Sequence, residues 1–151
     1  MKEYSREEQY RILLSSTDRL TWRVKHMLIT QFQCAENVFL NLENSIAQLV
    51  SPAALQALRS LKQTGFETIL TQMQRSGTEV VFYENPSYPV LLREIPDPPD
   101  LLFVRGILGK EARSVAIFGS RRDTRYGRTQ AYGIAREMAS NGVTIVSGLA
   151  R

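Results

Sequence analysis

The carboxyl-terminal stretch, residues 113–151, constrains the fold of this chain more than any other. It begins with a short apolar run, residues 114–118, closed by Gly119. A run this short, with β-branched residues and a turn signal after it, predicts a strand buried on both faces. A helical period follows from about residue 124 to residue 141, where Asn141-Gly142 provides a left-handed stop, and residues 143–146 predict a second buried strand. This order is typical of the unit that builds parallel sheets with right-handed crossovers.

Two glycine-bearing loops follow the predicted strands, residues 119–122 after the first and Ser147-Gly148 after the second. Because the carboxyl ends of neighbouring parallel strands share one crevice, we expect these loops to lie side by side. Glycine lets a ligand approach the main chain, and the start of the following helix presents free N–H groups and a partial positive charge. Four arginines, against only Asp123, make this an anion site with phosphate as the expected anion: Arg121, Arg122, Arg125 and Arg128.

These residues carry a family resemblance. Their order resembles the pattern of the DprA/Smf family of DNA-processing proteins. That pattern consists of a strand, G-S-R, a short spacer, Y-G, a helix, a second strand and S-G-x-A-R. The matching residues are Gly119, Ser120, Arg121, Tyr126, Gly127, Ser147, Gly148, Ala150 and Arg151. The approach to this stretch is also similar to the family's, through Tyr88, Pro89, Leu92, Ile95, Pro96, Pro98, Pro99, Leu102 and Gly106. The resemblance covers residues 86–151 well and the rest only loosely.

The resemblance implies an α/β fold in which a small all-helical domain, similar to sterile-alpha-motif or helix-hairpin-helix modules, precedes a Rossmann-like parallel-sheet domain. We therefore expect a helical domain over residues 1–77 and the amino-terminal part of the Rossmann-like domain over residues 78–151. The family's pattern continues past S-G-x-A-R, and two strands with one helix are too little for a doubly wound sheet. We accordingly expect a truncated, amino-terminal piece of a longer protein.

The resemblance also implies a function. It implies a protein that binds and protects single-stranded DNA and loads the RecA recombinase during natural transformation, without catalytic turnover. It also implies that the full-length protein is a homodimer. The helical domain lacks the glycine hairpin with which helix-hairpin-helix modules grip phosphate and has residues 15–18, Ser-Ser-Thr-Asp, in its place. Direct DNA binding by the helical domain is therefore disfavoured.

Positive charge is concentrated in the half that carries the glycine loops. The formal net charge is +4. Residues 1–85 hold nine Lys and Arg against nine Asp and Glu, whereas residues 86–151 hold ten against six. A basic balance alone is often a solvated face, but its position beside the loops favours a nucleic-acid partner.

The sequence gives little support for a membrane-spanning segment or a metal site. No apolar run approaches the roughly 20 residues that cross a bilayer, and the first residues have no signal-peptide pattern, so we expect a cytoplasmic protein without membrane contact. The single cysteine, Cys34, and the single histidine, His26, cannot form a metal cluster or a Cys-His pair. We expect Cys34 to be a small buried residue and His26 to have a surface or packing role. Without a P-loop or a nucleophile-base pair, we predict no enzyme, cofactor or metal.

The first half predicts a helical bundle. Ser5 with Glu8 predicts a capping box, and Ser51-Pro52 predicts a capped helix start with proline in the first turn. Helices are expected over residues 5–15, 21–32, 34–42, 45–49, 51–61 and 66–75.

The segment between the two halves is predicted to be extended. Residues 78–83 are β-branched and aromatic, which predicts a strand that joins the edge of the following sheet. Residues 85–100 contain five of the six prolines, which predicts a stiff connector with Leu91, Leu92 and Ile95 pinned to the domain beneath. Residues 101–104 predict another short strand.

The candidate DNA-binding residues surround the two loops. Arginine grips phosphate oxygens in a bidentate manner, and Tyr126 either stacks on a base or packs under the loop. Gly127 and Gly133 are expected to allow close approach between helix and strand. The full candidate set is Gly119, Ser120, Arg121, Arg122, Arg125, Tyr126, Gly127, Ser147, Gly148 and Arg151.

Two alternatives stay open at this point. A Rossmann-like pocket could bind a nucleotide-derived small ligand, although Gly119 and Gly127 are too far apart for the dinucleotide fingerprint. Alternatively, the fragment lacks most of its sheet and is inactive.

Overall fold

The computed structural model describes residues 3–109, 113–120 and 122–148. Within these ranges the chain is rich in helix and also forms two small sheets of two strands each, so that it is an α/β protein. It divides into two compact units, Met1–Leu108 and Gly109–Arg151.

The helices of the first unit begin where the sequence provides caps. Ser5 Oγ accepts from the Glu8 N–H, and the Glu8 carboxylate accepts from the Ser5 N–H at 2.7 Å, so the predicted capping box is confirmed. Ser51 caps the helix that starts at Pro52, also as predicted. The elements are α1 Arg6–Ser15, α2 Trp22–Phe32, α3 Ala35–Leu40, a π-helical turn Leu42–Ile46, α4 Ala47–Leu49, α5 Pro52–Thr64 and α6 Phe66–Ser76.

These helices share one hydrophobic core. Its most deeply buried members come from several helices and are at most 1% exposed: Ile12, Leu14, Leu28, Val38, Phe39, Leu42, Ile46 and Leu58. Burial of each such side chain contributes about 1.5–3 kcal/mol. A polar contact adds to this packing, since the Glu7 carboxylate on α1 accepts from the Ala35 and Glu36 N–H groups at 2.7 and 3.1 Å and so satisfies the first turn of α3.

Strand β1 (Thr78–Phe82) pairs with β2 (Leu101–Arg105) in antiparallel register, with Thr78 opposite Arg105. The prediction that the first strand joins the edge of the following sheet is wrong, because β1 and β2 form a sheet separate from the later pair of strands. Val80, Phe82 and Leu101 pack into the helical core instead. The boundary between the two units consequently falls after residue 108, whereas the sequence predicted a division after residue 77. The assignment of 1–77 and 78–151 to two domains stays a prediction.

The proline-rich connector is not extended throughout. A short helix, α7 (Val90–Arg93), lies within it. Leu91 and Ile95 are 73% and 41% exposed, so the prediction that they pin the connector is wrong. Tyr88 is buried instead, with 1% exposure, and its hydroxyl donates to the Pro99 carbonyl at 2.8 Å.

The second unit contains β3 (Ser114–Ala116), α8 (Arg125–Ser140) and β4 (Thr144–Val146). The strands are parallel neighbours, which confirms the predicted strand-helix-strand order and pairing. The prediction of burial on both faces is wrong. Val115 and Ile145 are half-buried, while the residues that alternate with them are exposed. Within the described part of this unit α8 is the one helix, and it packs against β4, so it covers a single face.

Candidate nucleic-acid interface

The two glycine-bearing loops begin at the same edge of the β3–β4 pair. Ala116 lies opposite Val146 at the ends of the parallel strands, and the Ile117 N–H donates to the Val146 carbonyl at 2.9 Å. The chain leaves β3 toward Gly119 and leaves β4 toward Ser147 from adjacent positions. The loop residues Gly119, Ser120, Ser147 and Gly148 are all exposed, so their main chain is accessible to a ligand.

Helix α8 starts directly after the first loop. Thr124 is its N-cap, and its Oγ1 accepts from the Gly127 N–H at 3.0 Å. In the described part of the chain the N–H groups of Arg125 and Tyr126 have no acceptor. No acidic residue occupies the first turn, so the partial positive charge of the helix start is not neutralised from within that turn.

The arginines near this helix start differ in their partners. Arg128 Nε lies 3.1 Å from Asp123 Oδ2 in an exposed ion pair. Arg122 and Arg125 are exposed, and neither has an ion-pair partner among the described residues. The Arg122 main chain is nevertheless held in place, because its N–H donates to Ser120 Oγ at 3.1 Å. Two guanidinium groups are thus available to an anion.

Two predicted site residues, Arg121 and Arg151, lie outside the described residues, as does Ala150. The described residues of the second unit from Arg113 onward contain five arginines against Asp123 and Glu137, a balance of +3. The positive field predicted for this half is therefore present in the described part of this unit.

Exposed aromatic rings flank the first loop. Tyr126 is 75% exposed, so it does not pack under the loop, which was one of its two predicted placements. Phe118 is 92% exposed, although the sequence pattern placed it at the end of a buried strand. An aromatic residue directly before a glycine at the carboxyl end of a strand is the signal that would have identified it. Both rings offer a flat apolar face to solvent.

The predicted role of the helical glycines is wrong. A Cβ atom on Gly133 would meet nothing within 4 Å in the described structure, and one on Gly127 would meet Thr124 Oγ1 at 3.3 Å. The close neighbour of Gly127 is therefore the capping hydroxyl of its own helix and not a strand.

In the described ranges, no group of three or more His, Cys, Asp or Glu side chains is placed to hold a metal ion. Cys34 is half-buried at the N-cap of α3, and its Sγ accepts from the Asn37 N–H at 3.4 Å. His26 is exposed beside Trp22. None of the described helices is both long enough and apolar enough to cross a bilayer.

Comparison with known proteins gives consistent results for the second half of the chain. The family model described as "DNA recombination-mediator protein A" matches residues 79–151. DNA processing protein DprA of Bacillus subtilis is 33% identical over 84 residues, which cover 54% of this chain and 28% of that protein. Protein Smf of Synechocystis sp. is 36% identical over 86 residues, which cover 54% of this chain and 22% of that protein. Protein Smf of Escherichia coli is 31% identical over 97 residues, which cover 64% of this chain and 26% of that protein.

The matched region spans about a quarter of the length of these curated relatives. It contains both glycine-bearing loops and the whole of α8. The predicted resemblance is confirmed: over residues 79–151 this chain is similar to the DprA/Smf family, with matches to a family model named for DNA recombination and to a relative named for DNA processing.

Proposed function

We propose that the surface formed by the loop 118–124, the start of α8 and residues 147–148 binds the sugar-phosphate backbone of single-stranded DNA. The observation that carries the proposal is a pair of exposed arginines, Arg122 and Arg125, that have no ion-pair partner among the described residues and lie at a helix start without a carboxylate in its first turn. Helix starts ordinarily favour acidic residues, each worth about 0.3–1 kcal/mol there.

A phosphate supplies what this helix start lacks. Its negative charge neutralises the guanidinium groups and the helix dipole together, and the N–H groups of Arg125 and Tyr126 donate to its oxygens. Ser120, Ser147 and the adjacent glycines leave room for the strand to lie against the main chain.

The aromatic rings favour a single strand over a duplex. Unpaired bases stack on exposed rings, and stacking contributes about 1–3 kcal/mol per base without regard to sequence. Phe118 and Tyr126 are 92% and 75% exposed beside the arginines. In a duplex the bases are already stacked on each other and leave these rings unused.

The proposed biological role is based on the matched family. Its description as a recombination mediator, and the relatives' names in DNA processing, support a role in DNA recombination. In this proposal the protein protects single-stranded DNA and presents it to RecA, acts in the cytoplasm, turns over no substrate, and forms a homodimer when full-length. Arg121, Arg151 and Gly127 belong to the proposed DNA-binding set.

Fluorescence anisotropy tests the proposal with a labelled single-stranded oligonucleotide, the matching duplex and mononucleotides, each at two salt concentrations. We expect the single strand to bind most tightly. Its logarithmic affinity should fall with log salt by about 0.7 per phosphate contact, hence by about 1.4 for two contacts.

Other outcomes decide between the alternatives. Competition by mononucleotides at equal affinity would favour a pocket for a nucleotide-derived ligand, and no binding of any probe would favour the alternative that this chain is inactive. Arg121→Glu with Arg122→Glu should abolish the preference for the single strand, and unchanged affinity in that variant would contradict the site.

A further inference from the structure

The first unit contains a pocket that the proposed DNA site does not use. It has a volume of about 330 Å³ and lies between α2 and the proline-rich connector. Its walls include the rings of Trp22, His26 and Tyr83 together with two prolines. Asp97 and Asp100 also line it, and neither lysine nor arginine is among its lining residues. The pocket therefore disfavours phosphate and favours a cation with a flat apolar body.

The two carboxylates differ in availability. Asp100 accepts from Arg11 Nε at 2.8 Å and from Arg11 Nη2 on its other oxygen, and both side chains are largely buried. Among the described residues Asp97 accepts only from Arg23 Nε, at 2.9 Å, in a pair whose side chains are 43% and 82% exposed. Exposed pairs of this kind contribute little. Asp97 can accordingly exchange Arg23 for a cation brought by a partner.

The aromatic wall suits a guanidinium group. The ring centroids of Trp22 and His26 are 5.0 Å apart, and Tyr83 lies on the connector side. Guanidinium planes stack on indole faces while their N–H groups pair with a carboxylate, a combination that an ammonium group cannot match.

We propose that this pocket binds an arginine side chain from a partner polypeptide, with the guanidinium stacked on Trp22 and paired with Asp97. This makes the first unit a docking module for protein, and the inference does not depend on DNA binding by the second unit.

The chain's single tryptophan lies in the pocket, so its fluorescence reports occupancy directly. Capped pentapeptides with a central arginine, citrulline, lysine or glutamate are titrated into the whole chain. We expect a saturable change in tryptophan emission with arginine, at a Kd of about 1 mM or below, and roughly tenfold weaker binding of citrulline, which keeps the shape but loses the charge.

Two variants locate the site. Asp97→Asn should weaken the arginine peptide roughly tenfold, whereas Asp18→Asn, at an aspartate that is 94% exposed outside the pocket, should leave it unchanged. Thermal melts of both variants confirm that they fold. Equal binding of the arginine and citrulline peptides, or an unaltered Kd in a folded Asp97→Asn variant, would each overturn the proposal.

Discussion

Single side chains with several partners join separate elements of the first unit. Arg11 on α1 is 15% exposed, binds both oxygens of Asp100, reaches Glu84 at 3.1 Å and lies 4.8 Å from the centre of the Phe82 ring. Burial alone would lower the pKa of Arg11, but the hydrogen bonds to Asp100 and Glu84 outweigh it and raise the pKa. This one side chain therefore joins a helix to the segments around both strands of the first sheet.

Replacement of Arg11 tests this connection. Arg11→Met keeps the apolar stem but leaves the largely buried Asp100 carboxylate without its cation, so the free energy of unfolding should fall by about 2–3 kcal/mol. Arg19→Met is the matched control, because Arg19 lies 3.7 Å from an aspartate that is 94% exposed, and its loss should cost less than about 0.5 kcal/mol. Chemical denaturation measures both. Equal losses of unfolding free energy in the two variants would show that Arg11 does not stabilise the first unit through its contacts with Asp100 and Glu84.

Tyr88 gives the first unit a dependence on alkaline pH. Burial raises the pKa of the Tyr88 hydroxyl, which is held by the Pro99 carbonyl. A tyrosine in the unfolded chain loses its proton near pH 10, the ordinary pKa of a solvated phenol. Between that pH and the raised pKa the unfolded chain releases the proton and the folded chain keeps it, so the free energy of unfolding falls as pH rises. Tyr88→Phe should reduce this slope in denaturation curves recorded across that range, and an unchanged slope would contradict the assignment.

Elements defined by local signals could be predicted from the sequence. Ser5, Thr21, Ser51 and Thr124 each cap a helix in the structure, and Gly142, at φ 74°, ends α8 as expected. Strand partners and burial depend on residues distant in the sequence. The sequence of residues 78–82 therefore predicted a strand, but it did not predict that this strand would pair with β2. The four-residue helix α7 was not predicted, because the prolines around it indicate an extended chain.

Two glycines of the second unit should respond in opposite ways to the same change. Gly133 lies inside α8, and no described atom lies within 4 Å of an added Cβ, so Gly133→Ala should stabilise the helix by about 1 kcal/mol. Gly142 has φ 74°, so Gly142→Ala should destabilise the end of α8 by about 1 kcal/mol. Amide hydrogen exchange along α8 measures both shifts. A destabilising Gly133→Ala would show that the glycine has a close neighbour after all.

At the scale of the whole molecule, buried apolar surface is unevenly distributed. Every buried hydrophobic residue of the described chain lies between Ile12 and Leu101, and α8 contains none. The sequence predicted helices, strands and a basic second half, yet it could not predict this distribution. An apolar run such as residues 114–118 indicates what a strand is able to bury, whereas the actual burial depends on which elements cover it.

This distribution predicts that the first unit folds independently. A chain of residues 1–108 should retain helical circular dichroism and a cooperative thermal transition, with a Tm within about 5 °C of the full chain's main transition. Loss of cooperative unfolding in that fragment would mean that the second unit contributes to the core.

The most direct test of the proposed DNA site compares two double charge reversals within the second unit. Arg122→Glu with Arg125→Glu alters the unpaired arginines beside the loops. Arg113→Glu with Arg136→Glu makes the same change in net charge at the far end of β3 and about 16 Å along α8 from Arg125.

Affinity for a labelled single strand is measured by anisotropy for both variants. The first variant should bind about 100-fold more weakly, because each lost charged hydrogen bond is worth at least about 1.4 kcal/mol. The second should stay within roughly threefold of the unmodified chain, since charges beyond about 10 Å are screened. Equal losses in the two variants would show that the chain responds to net charge alone, and would contradict a phosphate site at the start of α8.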